Sequence, residues 1–162
     1  MSNNQQEPVC FYENEYYVCS NFSSFEVEYK GVVWKTSEYA YQAAGFDDPE
    51  IIERIKNARS SHDAMKLSLV KFLDKKRKDW MDVKLGIMEE ICRAKVSQHY
   101  YVQKKLLQSG DRELIENSPR DAFWGWGPNK DGQNNLGKIL MKLRQELKDG
   151  KIPLLEEDPK FK

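Results

Sequence analysis

The chain has 162 residues, 40% of them hydrophobic and 32% charged, which is typical of one globular domain that buries its core without disulfides or a structural metal. Lys plus Arg equals Asp plus Glu at 26 each, so the formal net charge is zero and no global basic field exists to hold long duplex DNA. No apolar run approaches the roughly 20 residues of a membrane span, and the N-terminus lacks the features of a secretory signal. We therefore expect a cytoplasmic protein that contacts no membrane.

The cysteines and histidines do not have the spacing of a metal site. Cys10, Cys19 and Cys92 form no CxxC pair and are odd in number, which favours reduced thiols. His62 and His99 are not part of an HExxH pattern. The sequence therefore predicts neither a metal nor another cofactor.

The first predicted elements follow a polar stretch, residues 1–8, for which the composition predicts disorder. Residues 10–12 and 25–29 are predicted strands, the second because aromatic and aliphatic residues alternate with glutamates. Lys30-Gly31 supplies a turn before residues 32–34, so this region is typical of a β-hairpin.

Helix start and stop signals dominate the rest of the chain. Thr36 or Ser37 caps a predicted helix that ends near Gly45 and carries Glu38 in its first turn. Caps predict one helix that begins at Asp48-Pro49-Glu50 and another that begins at residues 60–63. Apolar spacing and caps predict further helices over residues 79–96, over residues 100–108 and from Asp111 to Ile115. A last predicted helix begins at Asn134-Asn135 and ends at Gly150. The fold class predicted is α+β, a single mostly helical domain over 9–150 with a small antiparallel sheet near the N-terminus, followed by a polar tail over 151–162.

Two segments, 34–43 and 118–127, combine a carboxylate with aromatic and hydrogen-bonding groups. A ribosyl C1′–N bond breaks through an oxocarbenium-like cation, which a nearby carboxylate stabilises while another group assists the leaving nitrogen. Glu38 and Asp121 are candidates for these two tasks, and the backbone N–H groups near Asn134 are candidates for receiving phosphate.

The second segment is an aromatic loop with glycines. Trp124 and Trp126 are suited to form a wall against a base, and Gly125 is suited to let the backbone approach a ligand.

Spacing alone does not decide between this chemistry and ordinary structure. Glu38 can complement the helix dipole, Asp121 can cap a turn, and the Trp-Gly pairs can form a packed corner. The basic run at residues 71–78 is interpreted as a solvated helix end or turn rather than a phosphate-binding patch, because most charge runs of this length are of that kind.

The order of motifs resembles the NADAR family, also called YbiA-like N-glycosidases, over about residues 11–147. The matching motifs include Ser20-Asn21-Phe22, Trp34-x-Thr36-Ser37-Glu38-x-x-Tyr41-Gln42-Ala43, Ala58-Arg59, Trp80-x-x-Val83-Lys84, Leu107-x-x-Gly110-Asp111-Arg112-Glu113-Leu114, Asp121-x-x-Trp124-Gly125-x-Gly127 and Gly132-x-Asn134-x-Leu136-Gly137. Two departures are visible: many relatives have His where this chain has Tyr39, and Pro where it has Lys35. The lysine is predicted either to pair with Glu38 or to hold a substrate phosphate.

The resemblance implies hydrolysis of ribosyl C1′–N bonds, either in phosphoribosylamino-pyrimidine intermediates of riboflavin biosynthesis or in ADP-ribose attached to guanine, including modified guanine in DNA. It implies catalytic roles for Glu38, Asp121 and Trp124. The predicted substrate-binding residues are Asn21, Trp34, Lys35, Arg59, Lys84, Gly125, Trp126 and Asn134. Arg59 and Lys84 are candidates for phosphate contacts and are equally well interpreted as partners in surface ion pairs.

We therefore expect a metal-independent N-glycosyl hydrolase whose partner is a ribosylated or ADP-ribosylated base, with no obligate protein partner. The alternative is a non-catalytic module that binds ADP-ribose or nucleotides. The presence of both Glu38 and Asp121 favours the enzyme, since a pure binder does not require an acid at the anomeric carbon.

Overall fold

The computed structural model of the chain describes residues 6–12 and 15–161, so most of the segment for which disorder was predicted, residues 1–5, lies outside the described residues. The helices and strands, in chain order, are β1 (Val9–Cys10), β2 (Val27–Tyr29), β3 (Val32–Trp34), α1 (Ser37–Ala43), α2 (Pro49–Lys56), α3 (Ser61–Lys66), α4 (Trp80–Gln98), α5 (Tyr100–Gln108), β4 (Leu114–Ile115) and α6 (Asn135–Lys148). Short 3-10 turns lie at Tyr17–Cys19, Leu73–Lys75 and Pro159–Phe161, and a π-helical turn lies at Leu67–Lys71. The predicted mostly helical α+β class with a small antiparallel sheet is confirmed. Within the described part of the chain, no helix combines the length and the apolar character needed to cross a membrane.

Backbone contacts group the chain into two compact units. The central unit is Asn21–Gln98, and the terminal unit is Met1–Ser20 together with His99–Lys162.

The central unit begins with the predicted hairpin, whose turn requires left-handed backbone. β2 pairs antiparallel with β3, with Val27 opposite Trp34 and Tyr29 opposite Val32. Lys30 and Gly31 have φ angles of 50° and 78°, the two successive positive values that a tight two-residue hairpin turn needs. Val27 and Trp34 are both buried, so one face of the hairpin contributes to the core. The hairpin prediction is confirmed.

Helix α1 lies at the centre of this unit. It packs against α2, α3 and α4, and all seven of its residues are buried. The caps predicted for the next two helices are confirmed: the Asp48 carboxylate accepts from the Glu50 N–H at 2.9 Å, and the Ser60 hydroxyl accepts from the Asp63 N–H at 3.0 Å. The long helix α4 buries Trp80 and Met88 as its spacing predicts.

The terminal unit contains a pair of strands, of which the sequence predicted the first, over residues 10–12, but not its partner. β1 pairs parallel with β4, and the Val9 N–H donates to the Glu113 carbonyl at 2.8 Å. The expected short helix from Asp111 to Ile115 is therefore wrong. Leu114 is fully buried and Ile115 nearly so, because pairing with a distant strand outweighs the local cap signal of Asp111.

The last helix and the segment after it are held by α5. Helix α6 is followed by Gly150 with a φ of 73°, as the predicted stop requires. The buried Gln103 side chain donates to the Pro153 carbonyl at 3.1 Å and accepts from the Leu155 N–H at 2.9 Å. The start of the predicted polar tail, including the buried Ile152, is thus attached to the unit.

Candidate active site

Glu38 is a buried carboxylate at the second position of α1, with 6% of its surface exposed. One turn later on the same face, the Gln42 amide nitrogen donates to Glu38 Oε1 at 2.6 Å. Because an ionised carboxylate can only accept hydrogen bonds, the donor in this contact is the NH₂ group of the Gln42 amide. The Gln42 carbonyl oxygen therefore points elsewhere.

The backbone of Glu38 is held by Asn21. The Glu38 N–H donates to the Asn21 carbonyl at 3.1 Å. The Asn21 side chain donates to Met88 Sδ at 3.2 Å, and its Oδ1 accepts from Cys92 Sγ at 3.8 Å, both on α4. Asn21 thus links the start of α1 to α4, so its observed contacts position Glu38.

The predicted cap of α1 acts differently from expectation. Thr36 has the extended backbone of an N-cap, but its side chain makes no cap hydrogen bond. Its hydroxyl lies 2.9 Å from the Ser61 hydroxyl of α3. Thr36 therefore fixes α1 against α3 instead of satisfying the first turn.

Several side-chain polar atoms are buried without a hydrogen-bond partner among the described residues. Of four such atoms, three belong to residues close to Glu38 in the chain: Trp34 Nε1, Ser37 Oγ and Gln42 Oε1. Leaving a buried polar group unsatisfied costs about 1–3 kcal/mol, so three such groups within one short segment require an explanation. The set combines a donor, an acceptor and a hydroxyl that serves as either, which suits a ligand rich in hydroxyl groups.

Lys76 is a component of the site that the sequence analysis missed. Its side chain is half-buried, and Nζ lies 5.2 Å from the centre of the Trp80 ring, which in turn packs against Tyr41 with ring centres 5.1 Å apart. Burial lowers the pKa of Lys76, repulsion from Lys84 lowers it further, and attraction to Glu38 partly opposes both. The only sequence signal was the basic run at 71–78, in which nothing distinguished this lysine.

Lys35 and Tyr39 meet at one backbone carbonyl. The Tyr39 hydroxyl donates to the Ala58 carbonyl at 2.8 Å, and Lys35 Nζ donates to the same oxygen at 3.4 Å. Burial raises the pKa of Tyr39, and the negative charge of Asp63 adds to this effect. Tyr39 therefore remains protonated near neutral pH. Lys35, for which pairing with Glu38 or a phosphate contact was predicted, contacts the Ala58 carbonyl in this structure.

The two predicted phosphate contacts of this unit differ in their surroundings. The Arg59 side chain is 93% exposed, with Nε 3.5 Å from an Asp63 carboxylate oxygen, which is a surface ion pair. Lys84 is half-buried on α4 and interacts electrostatically with Lys76. Lys84 thus interacts with Lys76, which is itself attracted to Glu38, whereas Arg59 forms a surface ion pair.

In the terminal unit, Asp121 caps the turn that carries Trp124. Asp121 Oδ1 accepts from the Phe123 N–H at 2.9 Å and from the Trp124 N–H at 2.7 Å. Ser118 Oγ in turn accepts from the Asp121 N–H at 3.2 Å. Asp121 is half-buried, and the structural role considered in the sequence analysis is present.

The aromatic loop packs closely on itself at Gly125. A Cβ atom at this position would clash with the Glu116 carbonyl oxygen and lie 3.0 Å from that of Asp121. The close approach that the sequence led us to expect is thus made to the protein's own backbone. Trp124 and Trp126 are both half-buried, so each retains surface that a ligand can contact.

Asn134 braces this loop. The backbone N–H groups of residues 134, 135 and 136 donate to carbonyl oxygens of the loop, at 2.9, 3.2 and 3.1 Å. The expectation that these N–H groups are free to receive phosphate is therefore wrong. The Asn134 side chain donates to the Leu114 carbonyl at 2.8 Å and accepts from the Glu116 N–H at 2.9 Å.

Residues 10–148 match the NADAR domain family. The chain belongs to the NADAR family. This match covers most of the chain and confirms the resemblance seen in its motifs.

Named NADAR relatives include bacterial N-glycosidases. The chain is 40% identical over 133 residues to N-glycosidase Npun_R5314 of Nostoc punctiforme, covering 80% of this chain and 85% of that protein. It is 34% identical over 145 residues to N-glycosidase YbiA of Escherichia coli, covering 88% and 90%. It is 37% identical over 150 residues to riboflavin biosynthesis protein VVA0006 of Vibrio vulnificus, covering 91% of this chain but 41% of that longer protein.

A solved NADAR structure has the same fold. The NMR structure of E. coli YbiA matches with a TM-score of 0.82 and 33% identity, covering 94% of this chain and 92% of that one. Within residues 6–12 and 15–161, no group of three or more His, Cys, Asp or Glu side chains is arranged to hold a metal ion.

Proposed function

We propose that this chain is an N-glycosidase that hydrolyses the C1′–N bond of a ribosylated base, with Glu38 as the principal carboxylate. The observation that carries the proposal is a buried carboxylate held by Gln42, in a segment in which Trp34, Ser37 and Gln42 each have a buried polar atom without a partner among the described residues. The names of the NADAR relatives support the same reaction class.

The proposed reaction needs a fixed negative charge and water. As the C1′–N bond breaks, its electron pair leaves with the base nitrogen and positive charge develops on the ribosyl carbon. Glu38, oriented by Gln42 and by the Asn21 carbonyl, stabilises this charge without having to reorganise. A water oxygen then bonds to C1′, and the proton it loses compensates the departing base nitrogen.

The buried polar atoms provide contacts for the sugar. Trp34 Nε1 can donate to a ribose oxygen, and Gln42 Oε1 can accept from a ribose hydroxyl, once side-chain movement opens these atoms, which are closed to solvent here. These contacts would satisfy atoms that are otherwise buried at a cost, so part of the binding free energy comes from removing that cost. They recognise ribose rather than the base.

Two substrate classes fit this proposal. Phosphoribosylamino-pyrimidine intermediates are supported by the name of the Vibrio relative, a riboflavin biosynthesis protein. ADP-ribosylated guanine, free or in DNA, contains the same ribosyl C1′–N bond and follows from the family resemblance. In both cases we propose that the reaction requires no metal.

Asp121 and Trp124 enter the proposal with separate tasks. Asp121 Oδ1 holds the Trp124 backbone, while Oδ2 accepts no hydrogen bond from the described residues. We assign to Asp121 the role of second carboxylate and to Trp124 a stacking surface for the base.

The deciding experiment follows sugar release from each substrate separately. The purified protein is incubated with a phosphoribosylamino-pyrimidine and with ADP-ribosylated guanine DNA, and each reaction is repeated with Glu38→Gln. Release from one substrate that depends on Glu38 supports the proposal and identifies the substrate class. Binding of both compounds without sugar release would instead establish a non-catalytic nucleotide-binding module.

A further inference from the structure

A second polar feature of the central unit lies beside Glu38 and involves Lys76. Its Cε lies near Gly45, 3.7 Å from the position that a Cβ at that residue would occupy. The ammonium group lies over the Trp80 ring at 5.2 Å. Lys76 is half-buried in this position, so its side chain is more restricted than that of an exposed lysine.

Lys84 places a second positive charge near the first. It lies one helical turn beyond Trp80 on α4, so both side chains occupy the same face of that helix. The two lysines repel each other, and the attraction of Glu38 for Lys76 does not cancel repulsion and burial together. A half-buried pair of ammonium groups of this kind is stabilised by an anion placed between them.

We propose that Lys76 and Lys84 form a phosphate subsite beside Glu38, which binds the phosphate group on the 5′ carbon of the substrate ribose. The assignment to a ribosyl substrate rests on the proposed function, because Glu38 then marks the position of C1′ on the same sugar. A phosphate group suits two lysine side chains because it carries more than one negative charge and has several oxygens that accept hydrogen bonds. Both substrate classes contain it, as a monoester in a phosphoribosyl compound and as a diphosphate in ADP-ribose.

Binding of simple probes tests this subsite without requiring turnover. Calorimetric titration of the protein with ribose, ribose 5-phosphate and ADP-ribose compares the bare sugar with the two phosphate sources. We expect ribose 5-phosphate to bind at least about tenfold more tightly than ribose, because hydrogen bonds to charged groups are the stronger class. Comparison with ADP-ribose shows whether a monoester or a diphosphate fits better.

Lys76→Met is the informative variant because methionine retains an unbranched apolar side chain against Trp80 and removes the charge. Its preference for ribose 5-phosphate over ribose should fall by about tenfold or more. Lys75→Met is the matched control: Lys75 is the neighbouring residue, is exposed and belongs to the same basic run. Equal affinity in the wild type and Lys76→Met, or an equal loss in Lys75→Met, would overturn the subsite.

The stability of the Lys76→Met variant distinguishes a binding role of Lys76 from a structural one. Lys76 binds its proton less readily in the folded protein than in the unfolded chain, since burial lowers its pKa. Below the folded-state pKa its charge therefore costs stability, and stability rises as pH increases through that pKa toward the unfolded value. Lys76→Met should melt at or above the wild-type temperature at neutral pH while losing phosphate affinity; a purely structural lysine would show the opposite.

Glu38→Gln distinguishes this inference from the proposed function. Removing the negative charge beside Lys76 should preserve or strengthen ribose 5-phosphate binding while hydrolysis is lost. If the wild type hydrolyses neither substrate but shows Lys76-dependent binding, the subsite stands and the N-glycosidase proposal fails. If hydrolysis is observed and phosphate binding is independent of Lys76, the subsite fails alone.

Discussion

Replacing Glu38 with Gln tests the proposed mechanism most directly. Gln is nearly the same size as Glu. In the wild type the Gln42 amide nitrogen lies 2.6 Å from Glu38 Oε1, and the side-chain oxygen of Gln at position 38 can accept the same hydrogen bond. The substitution therefore removes the negative charge and leaves the hydrogen-bonded frame largely in place. Any effect on turnover then reports on the charge.

The burial of Glu38 sets the size of the expected effect. A full negative charge about 4 Å from a full positive charge contributes about 4 kcal/mol at an effective dielectric constant of 20. At about 1.4 kcal/mol per tenfold change in rate, a largely developed oxocarbenium charge corresponds to a loss of roughly a hundred- to a thousandfold in kcat. This range matches the loss of one preorganised electrostatic group in enzymes generally.

Stability should change much less than turnover. A charge-assisted hydrogen bond to Gln42 is replaced by a neutral one, which costs about 1 kcal/mol. For a chain of this length, that change lowers the melting temperature by about 2–4 °C. A larger decrease would mean that the variant disturbs the fold and that its activity does not isolate the charge.

The assay is steady-state sugar release by wild type and Glu38→Gln, with melting curves recorded on the same preparations. Glu50→Gln is a matched control, because Glu50 occupies the same second position in α2 that Glu38 occupies in α1, but is exposed. It removes a similar interaction with a helix dipole and should leave turnover unchanged. A well-folded Glu38→Gln variant with kcat within a fewfold of wild type would refute the assignment of Glu38.

The remaining predictions concern the aromatic loop and metal dependence. Trp124→Ala should weaken substrate binding by about 1–3 kcal/mol, the value of one base stacked on an aromatic ring; a melting temperature that collapses together with activity would instead indicate a structural corner. Asp121→Asn retains an oxygen that can accept from the Phe123 and Trp124 N–H groups. A loss of kcat at an unchanged melting temperature would therefore show that the negative charge of Asp121 acts in catalysis. Full activity would show that Asp121 serves only to cap the turn. Treatment with a strong chelator followed by dialysis should leave the rate unchanged; activity that is lost and then returns with a divalent ion would contradict the mechanism and make Glu38 and Asp121 candidate metal ligands.

Features that depend only on neighbouring residues were predictable from the sequence alone. The Lys30-Gly31 turn, the Asp48 and Ser60 caps and the apolar spacing of α4 each act within a few residues, and each occurs where predicted. Placement of Glu38 in the first turn of a helix was predictable for the same reason. Membership of the NADAR family was also predictable, since the order of motifs is a property of the sequence alone.

Contacts between residues far apart in the chain could not be predicted locally, because they depend on how the elements pack. β1 and β4 pair between Val9 and Leu114, and loop carbonyls occupy the N–H groups at the start of α6, because buried backbone groups find partners wherever the fold provides them. Lys76 differs from the exposed Lys75 through its partial burial, its position over Trp80 and its electrostatic interaction with Glu38. Burial and charge proximity are properties of packing, so no local pattern in the basic run could have identified that lysine.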